Sequence, residues 1–144
     1  MSTVDERIQT LDLVAHPEGG FYRETHRSDV VFPRTALAGY PADRVAVTSI
    51  LFLLEAGQRS AWHRVRSEEL WFFHEGDPLR LRIKAEHTDT ASEMVVLGPG
   101  ASFQAVVPPG WWQDAEALEG RAGYALVGCV VAPGFEFDDF ELGP

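Results

Sequence analysis

The sequence contains one cysteine, few basic residues and no long apolar run, and each shortage limits what the protein can be. Cys129 is the single cysteine, so no disulfide can form within the chain. A lone cysteine in an apolar stretch is usually a small buried hydrophobic residue. Twelve lysines and arginines stand against 22 aspartates and glutamates, which gives a net charge of −10. Such a chain lacks the basic surface that binds nucleic acid or anionic membranes.

Two further absences concern location. No apolar run approaches the roughly 20 residues of a membrane-spanning helix. Residues 1–7 lack the basic start and the apolar core of a secretory signal peptide. The sequence therefore predicts a cytoplasmic protein with no membrane partner and no nucleic-acid partner.

The length of 144 residues and the strand-like patterning predict one all-β domain. Thr3 and Glu6 form a capping-box pattern that opens a short helix. Residues 45–54 are nearly continuously apolar, and Leu79–Lys84 alternates as a half-buried strand does. Short strands punctuated by glycine and proline are typical of a sandwich or barrel. The predicted parts are an N-terminal helix (1–15), an N-terminal strand and loop (16–44), a barrel core (45–134) and a C-terminal tail (135–144).

The segment from Gly57 to Gly76 holds the main candidate site. It places His63 and Glu69 six residues apart, between two strand-like apolar runs. Side chains an even number of residues apart on one strand point to the same face, so both are expected to face one interior. An imidazole and a carboxylate that meet in an apolar cavity suit either a divalent metal or proton transfer.

The spacing of this segment is similar to the first cupin motif, and the turn that ends at Gln113 is similar to the second. A full cupin site has three histidines and one glutamate, and here Val65 and Gln113 stand at two of the histidine positions. A wider likeness lies in residues 16–25, 62–64, 69–71, 107–111 and 126–135. By these segments the chain is identified as a member of the cupin-5 family (DUF985, formerly a domain of unknown function) of the RmlC-like cupin superfamily. The resemblance implies a double-stranded β-helix, the cupin jelly-roll barrel, with a short N-terminal helix, and it implies a homodimer.

Three uses of the predicted site remain open. His63, Glu69 and the amide oxygen of Gln113 could hold a divalent metal weakly, so no cofactor is certain. His63 and Glu69 could instead satisfy each other as a hydrogen-bonded pair in the core. In a metal-free pocket His63 would be the catalytic base and Glu69 the carboxylate that orients it.

A shorter resemblance suggests ligand-binding residues near the N-terminus. Residues 20–24 are similar to the segment with which cupin-type deoxysugar-nucleotide epimerases grip their substrate. This likeness implies that Phe21, Arg23 and Glu24 contact the ligand, with Arg23 and Glu24 holding an anionic or hydroxyl-bearing part. The alternative for that charged pair is a solvated position on an edge strand.

Aromatic residues and a glutamine complete the predicted ligand-binding set. Trp71 and Phe73 share the face of Glu69 by parity, and Trp111 follows a proline–glycine turn at the expected mouth. Gln113 is expected to be a polar group of the pocket. Flat apolar walls with a few polar groups suit a small-molecule site, although each aromatic residue could equally belong to the core.

The leading functional interpretation is a small-molecule-binding protein, an isomerase, epimerase or lyase that acts on a sugar-like or polar carbonyl compound. One alternative is a metal-dependent, oxygenase-like cupin enzyme. Another is a non-catalytic ligand-binding or sensing module.

Overall fold

A computed structural model describes residues 3–144, which form two facing antiparallel β-sheets. The strands are β1 (Val14–Ala15), β2 (Phe21–Arg27), β3 (Val31–Phe32), β4 (Arg44–Val45), β5 (Thr48–Glu55), β6 (His63–Arg64), β7 (Glu68–Gly76), β8 (Leu79–Lys84), β9 (Glu93–Leu97), β10 (Gln104–Val107), β11 (Trp112–Ala117), β12 (Tyr124–Ala132) and β13 (Glu141–Leu142). One sheet has six strands in the order β1-β2-β5-β12-β7-β10, and the other has five strands in the order β13-β6-β11-β8-β9. Strands β3 and β4 pair separately as a two-stranded sheet. This is the predicted all-β jelly-roll barrel, and the prediction is confirmed.

The N-terminal helix α1 (Val4–Thr10) is shorter than the predicted range 1–15, of which residues 1 and 2 lie outside the described part. Its capping box is present, because the Thr3 hydroxyl accepts from the Glu6 backbone amide at 3.1 Å and the Glu6 carboxylate accepts from the Thr3 amide. Asp12 takes a left-handed φ of 55°, which ends the helical path. Residues 14 and 15 then pair with β2 as a strand. No helix within residues 3–144 has the length and apolarity needed to span a membrane.

The core lies between the two sheets, and a second apolar cluster lies under α1. Phe52 and Leu54 of β5 pack into the main core, whereas Leu53 belongs to the cluster that Val4 and Ile8 of α1 cover. Because β5 is buried on both faces, its residues are continuously apolar and do not alternate with polar residues. The predicted strand at 45–54 is divided, because β4 ends at residue 45 and β5 begins at residue 48.

The C-terminal tail is attached to the barrel by a short strand and by a buried ion pair. A 3₁₀ turn over Phe137–Asp139 leads into β13, which pairs with β6. The buried Asp139 carboxylate accepts two hydrogen bonds of 2.8 Å from Arg44 and one of 3.0 Å from Arg66. The tail is thereby fixed beside His63, the first residue of β6.

Candidate functional site

A cavity of about 450 Å³ is bounded by strands of both sheets and by the C-terminal tail. Its buried polar groups come from separate parts of the chain: His16 and Glu18 from the β1–β2 turn, His63 from β6 and Glu69 from β7. The rim carries charged side chains of β2 and the tail. Other lining residues include Tyr22, Arg23, Glu24, Arg27, Ile50, Val65, Cys129, Val131, Phe135, Glu136, Phe137 and Phe140.

His63 is held by Glu18 and not by Glu69, so the alternative of a hydrogen-bonded pair of His63 and Glu69 does not apply. The Nε2 atom of His63 lies 2.7 Å from a carboxylate oxygen of Glu18, and Nδ1 lies 2.8 Å from the backbone oxygen of Ala61. A carbonyl oxygen can only accept, so Nδ1 donates. Phe140 of the tail stacks on the imidazole ring with centroids 5.5 Å apart.

These contacts make His63 a cation at neutral pH. Burial alone would lower the pKa of His63, but the charge and hydrogen bond of the Glu18 carboxylate, together with the charge of Glu69, raise it to about 9. With both ring nitrogens donating, the imidazolium has no lone pair with which to accept a proton. The arrangement therefore does not suit His63 to the role of base that its sequence position suggested.

Glu69 is the buried carboxyl group whose charge state changes near neutral pH. Burial raises the pKa of Glu69 to about 7; His63 and the hydrogen bonds of Gln113 and Cys129 oppose that rise, and the charge of Glu18 adds to it. The Glu69 side chain enters the cavity from β7 of the six-stranded sheet, whereas His63 enters from the other sheet. The two residues thus share one interior, as predicted, but across facing sheets instead of along one strand.

A buried relay of hydrogen bonds fixes the orientation of Glu69. The indole N–H of Trp71 donates to Oε1 of Gln113 at 2.9 Å, and the Gln113 amide nitrogen donates to Oε1 of Glu69 at 2.9 Å. Trp71 and Gln113 therefore act behind Glu69 and do not line the cavity. The thiol of Cys129 adds a further hydrogen bond to Glu69.

The donors at this position do not fit a divalent metal. The Gln113 oxygen is committed to Trp71, and its amide group presents N–H donors toward Glu69. Val65, at the second histidine position of the cupin pattern, offers no donor atom. Among residues 3–144, no three histidine, cysteine, aspartate or glutamate side chains converge as a metal-binding group. The predicted metal set of His63, Glu69 and Gln113 thus lacks the ligand geometry that such an ion needs.

The other predicted ligand-binding residues divide into two groups. Arg23 and Glu24 line the cavity, where Arg23 Nε donates to the backbone oxygen of Leu11 at 2.7 Å. Phe21, Phe73 and Trp111 do not line the cavity. Phe21 packs under α1, and Phe73 and Trp111 pack against the main core.

His16 and Glu18 were not predicted as site residues, because residues 16–20 belong to the segment of the family likeness and no local pattern in them indicates contact with β6. These residues form a turn, in which the His16 backbone oxygen accepts from the Gly19 amide at 3.0 Å. Gly20 has a φ of 79°, and a Cβ atom there would lie 2.8 Å from the Leu53 oxygen, so only glycine allows this packing. The Glu18 backbone oxygen accepts from the Ala61 amide at 2.7 Å. Ala61 therefore anchors both Glu18 and His63.

Comparison with known proteins extends over nearly the whole chain. The family described as Cupin_5, "Cupin superfamily (DUF985)", matches residues 5–143. No curated protein matches. A solved structure of a hypothetical protein from Leishmania major is 34% identical, with a TM-score of 0.85 and coverage of 99% of this chain and 88% of that one. A protein from Shewanella oneidensis is 37% identical, with a TM-score of 0.82 and coverage of 99% and 85%. Oxalate decarboxylase from Bacillus subtilis, at 18% identity and a TM-score of 0.60, shares the fold over 89% of this chain and 29% of that one.

Proposed function

Since the chain belongs to the Cupin_5 family of the cupin superfamily, whose fold does not fix one chemistry, we propose a function from the cavity itself. The protein is a small-molecule-binding cupin that transfers a proton, without a metal, at the carbon next to a carbonyl group. Its substrate is a sugar-like or polar compound with a hydroxyl group next to its carbonyl group, and its reaction is an isomerisation that moves the carbonyl group by one carbon. The observation that carries the proposal is the buried carboxyl group of Glu69, which faces the His63 imidazolium in an apolar-walled cavity.

In this reaction Glu69 is the group that accepts the proton. Its carboxylate takes a proton from the hydroxyl-bearing carbon next to the carbonyl group; the C–H electron pair forms a C=C bond, and the carbonyl π pair moves to oxygen to give an enolate. The hydroxyl proton then passes to the enolate oxygen, the deprotonated oxygen forms the new carbonyl group, and the C=C electron pair takes the proton from Glu69 at the former carbonyl carbon. The positive field of His63 stabilises the enolate charge. Glu18 keeps that imidazolium charged and in place.

The rim of the cavity supports a polar ligand. The Arg23 guanidinium uses Nε for the Leu11 oxygen and lines the cavity beside Glu24. Glu24 also accepts hydrogen bonds of 2.9 and 3.0 Å from Arg27. These side chains suit an anionic or hydroxyl-bearing part of the ligand. The proposal includes a cytoplasmic homodimer, which the exposed apolar side chains Met94, Phe103 and Val106 support.

The test is solvent deuterium exchange at the carbon next to the carbonyl group. A panel of ketoses, aldoses and keto nucleotide sugars is incubated in D₂O with the protein and followed by proton NMR. We expect exchange that survives EDTA and falls about 100-fold in Glu69→Gln, because general acid–base groups contribute at least that factor. Glu93→Gln makes the same chemical change at an exposed position of β9 and is expected to exchange as the wild type does. Loss of exchange on chelation, or normal exchange in Glu69→Gln, would contradict the proposal.

The rate of this exchange is expected to depend on pH in a bell shape. Glu69 must be ionised to accept the proton, so the rate rises through its pKa of about 7. His63 must stay protonated to stabilise the enolate, so the rate falls through its pKa of about 9. Because Glu69 and His63 interact, each inflection of the pH–rate profile reports the titration of the pair and not of one residue alone. A rate that rises without a later fall would exclude the role of His63, and a flat profile would exclude Glu69 as the acceptor.

A further inference from the structure

His16 is a buried histidine in the cavity that the proton transfer described above does not use. Its side chain is 6% exposed, and it lines the same cavity as His63 and Glu69. Tyr22 and Phe52 contact the ring edge to face, with centroids 4.6 and 5.8 Å away. This packing holds the imidazole in one orientation.

The turn that carries His16 also fixes which ring nitrogen bears hydrogen. The backbone amide of Glu18 donates to Nδ1 of His16 at 3.1 Å. Nδ1 is therefore an acceptor, and in the neutral ring Nε2 carries the hydrogen. No hydrogen bond within residues 3–144 uses Nε2, and this nitrogen is not among the fully buried side-chain atoms that lack a partner, so it is accessible from the cavity. A rigid donor in the cavity is thus left without a protein partner.

The ring stays neutral in the working pH range. Burial lowers the pKa of His16; the Glu18 carboxylate opposes this effect, and the charge of His63 reinforces it. A neutral N–H group can donate a hydrogen bond to an uncharged acceptor. Before the reaction the ionised carboxylates of Glu18 and Glu69 disfavour an anionic ligand at this depth, so the ligand oxygen enters as a neutral carbonyl, and negative charge develops on it only as Glu69 takes up the proton.

We propose that His16 contacts the substrate directly by donating its Nε2 hydrogen to the carbonyl oxygen of a neutral aldehyde or ketone group. This inference rests on the proposed proton transfer and deepens it. Both N–H groups of His63 are committed to Glu18 and Ala61, so His63 supplies charge and His16 supplies the hydrogen bond to the oxygen. The ligand class is accordingly a carbonyl compound whose carbonyl oxygen enters the buried end of the cavity, while its polar remainder lies toward Arg23.

The test is NMR of protein with ¹⁵N-labelled histidine, titrated with hydroxyacetone, dihydroxyacetone and D-fructose, and with acetate and glycerol as probes that lack an aldehyde or ketone group. We expect at least one carbonyl probe to shift the Nε2 resonance of His16, and acetate and glycerol to leave it unchanged. His16→Phe keeps the packing against Tyr22 and Phe52 and is expected to bind that probe about 10-fold more weakly, as for one lost hydrogen bond. His16→Gln, which keeps an N–H donor, is expected to recover part of the binding.

His26→Phe is the matched control, because His26 is an exposed residue of β2. The inference is wrong if no carbonyl probe shifts His16 Nε2, or if His16→Phe binds the shifting probe as tightly as His26→Phe does. Deuterium exchange separates this result from the proposed function. Normal exchange in His16→Phe would overturn the role of His16 and leave Glu69 as the proton acceptor. Binding through His16 with no exchange in any probe would support the contact and overturn the proton transfer.

Discussion

Replacing Asp139 by alanine is expected to lower the free energy of unfolding by about 3–5 kcal/mol, the usual effect of removing one partner from a buried ion pair. The side chains of Asp139 and Arg44 are 2% and 3% exposed, and two hydrogen bonds of 2.8 Å join them. Without the carboxylate, Arg44 is left as a buried and uncompensated charge. The tail also loses its attachment to β4, and Phe140 its fixed position over His63. Urea denaturation followed by circular dichroism measures the change.

Asp138→Ala is the matched control, since it removes the neighbouring exposed carboxylate of the same 3₁₀ turn. It is expected to stay within about 0.5 kcal/mol of the wild type, as surface changes usually do. Burial alone would raise the pKa of Asp139, but the hydrogen bonds from Arg44 and Arg66 hold it below its ordinary value of 3.8. The stabilisation is therefore complete above that value and is lost as pH falls through the lowered pKa. Equal stabilities of the Asp139 and Asp138 variants at neutral pH would show that the ion pair does not hold the tail.

Much of the fold could be predicted because the sequence patterns of single segments match the positions of those segments in the barrel. The alternation in Leu79–Lys84 corresponds to β8, with Leu79 and Leu81 in the core and the charged side chains between them on the other face. The capping box at Thr3 produced α1 as expected. The path of the C-terminal tail was not predictable, because it depends on Asp139 meeting Arg44, 95 positions earlier in the chain, and no local pattern encodes that ion pair.

The candidate site was predictable only in part, for a similar reason. The spacing of His63 and Glu69 correctly placed both side chains in one interior. Their immediate partners come from elsewhere: Glu18 approaches His63 from the β1–β2 turn, and Gln113 approaches Glu69 from β11. These partners are the reason why the proposed reaction gives the proton-accepting role to Glu69 and not to His63. No pattern within residues 16–20 indicates this assignment, because it depends on the contact of Glu18 with His63 of β6.

Val65 and Gln113 occupy two histidine positions of the cupin pattern. Histidines at both positions are expected to create a metal site and to increase the metal affinity strongly. His63 and Gln113 face each other in register between β6 and β11, Val65 lines the same cavity, and Gln113 contacts Glu69. Val65→His with Gln113→His would therefore bring three imidazoles and one carboxylate together. The expected obstacle is Trp71, because a ligating histidine normally donates its second N–H to an acceptor, whereas the indole is itself a donor. The variant to make thus combines both histidine changes with Trp71→Phe.

This triple variant is expected to bind Ni²⁺ or Zn²⁺ at least about 1000-fold more tightly than the wild type, a gain of about 4 kcal/mol. The double variant, which keeps Trp71, is expected to bind the metal about 10–100-fold more weakly than the triple variant. This is the usual effect when a ligating histidine lacks a hydrogen-bond acceptor for its second N–H group. Isothermal titration calorimetry measures both affinities, after circular dichroism has shown that each variant is folded. Equally tight binding by the wild type would mean that His63 and Glu69 already form a metal site, and that the hydrogen bonds of Gln113 rearrange to allow it. Equal affinities with and without Trp71 would instead show that the indole has no influence on the ligand geometry.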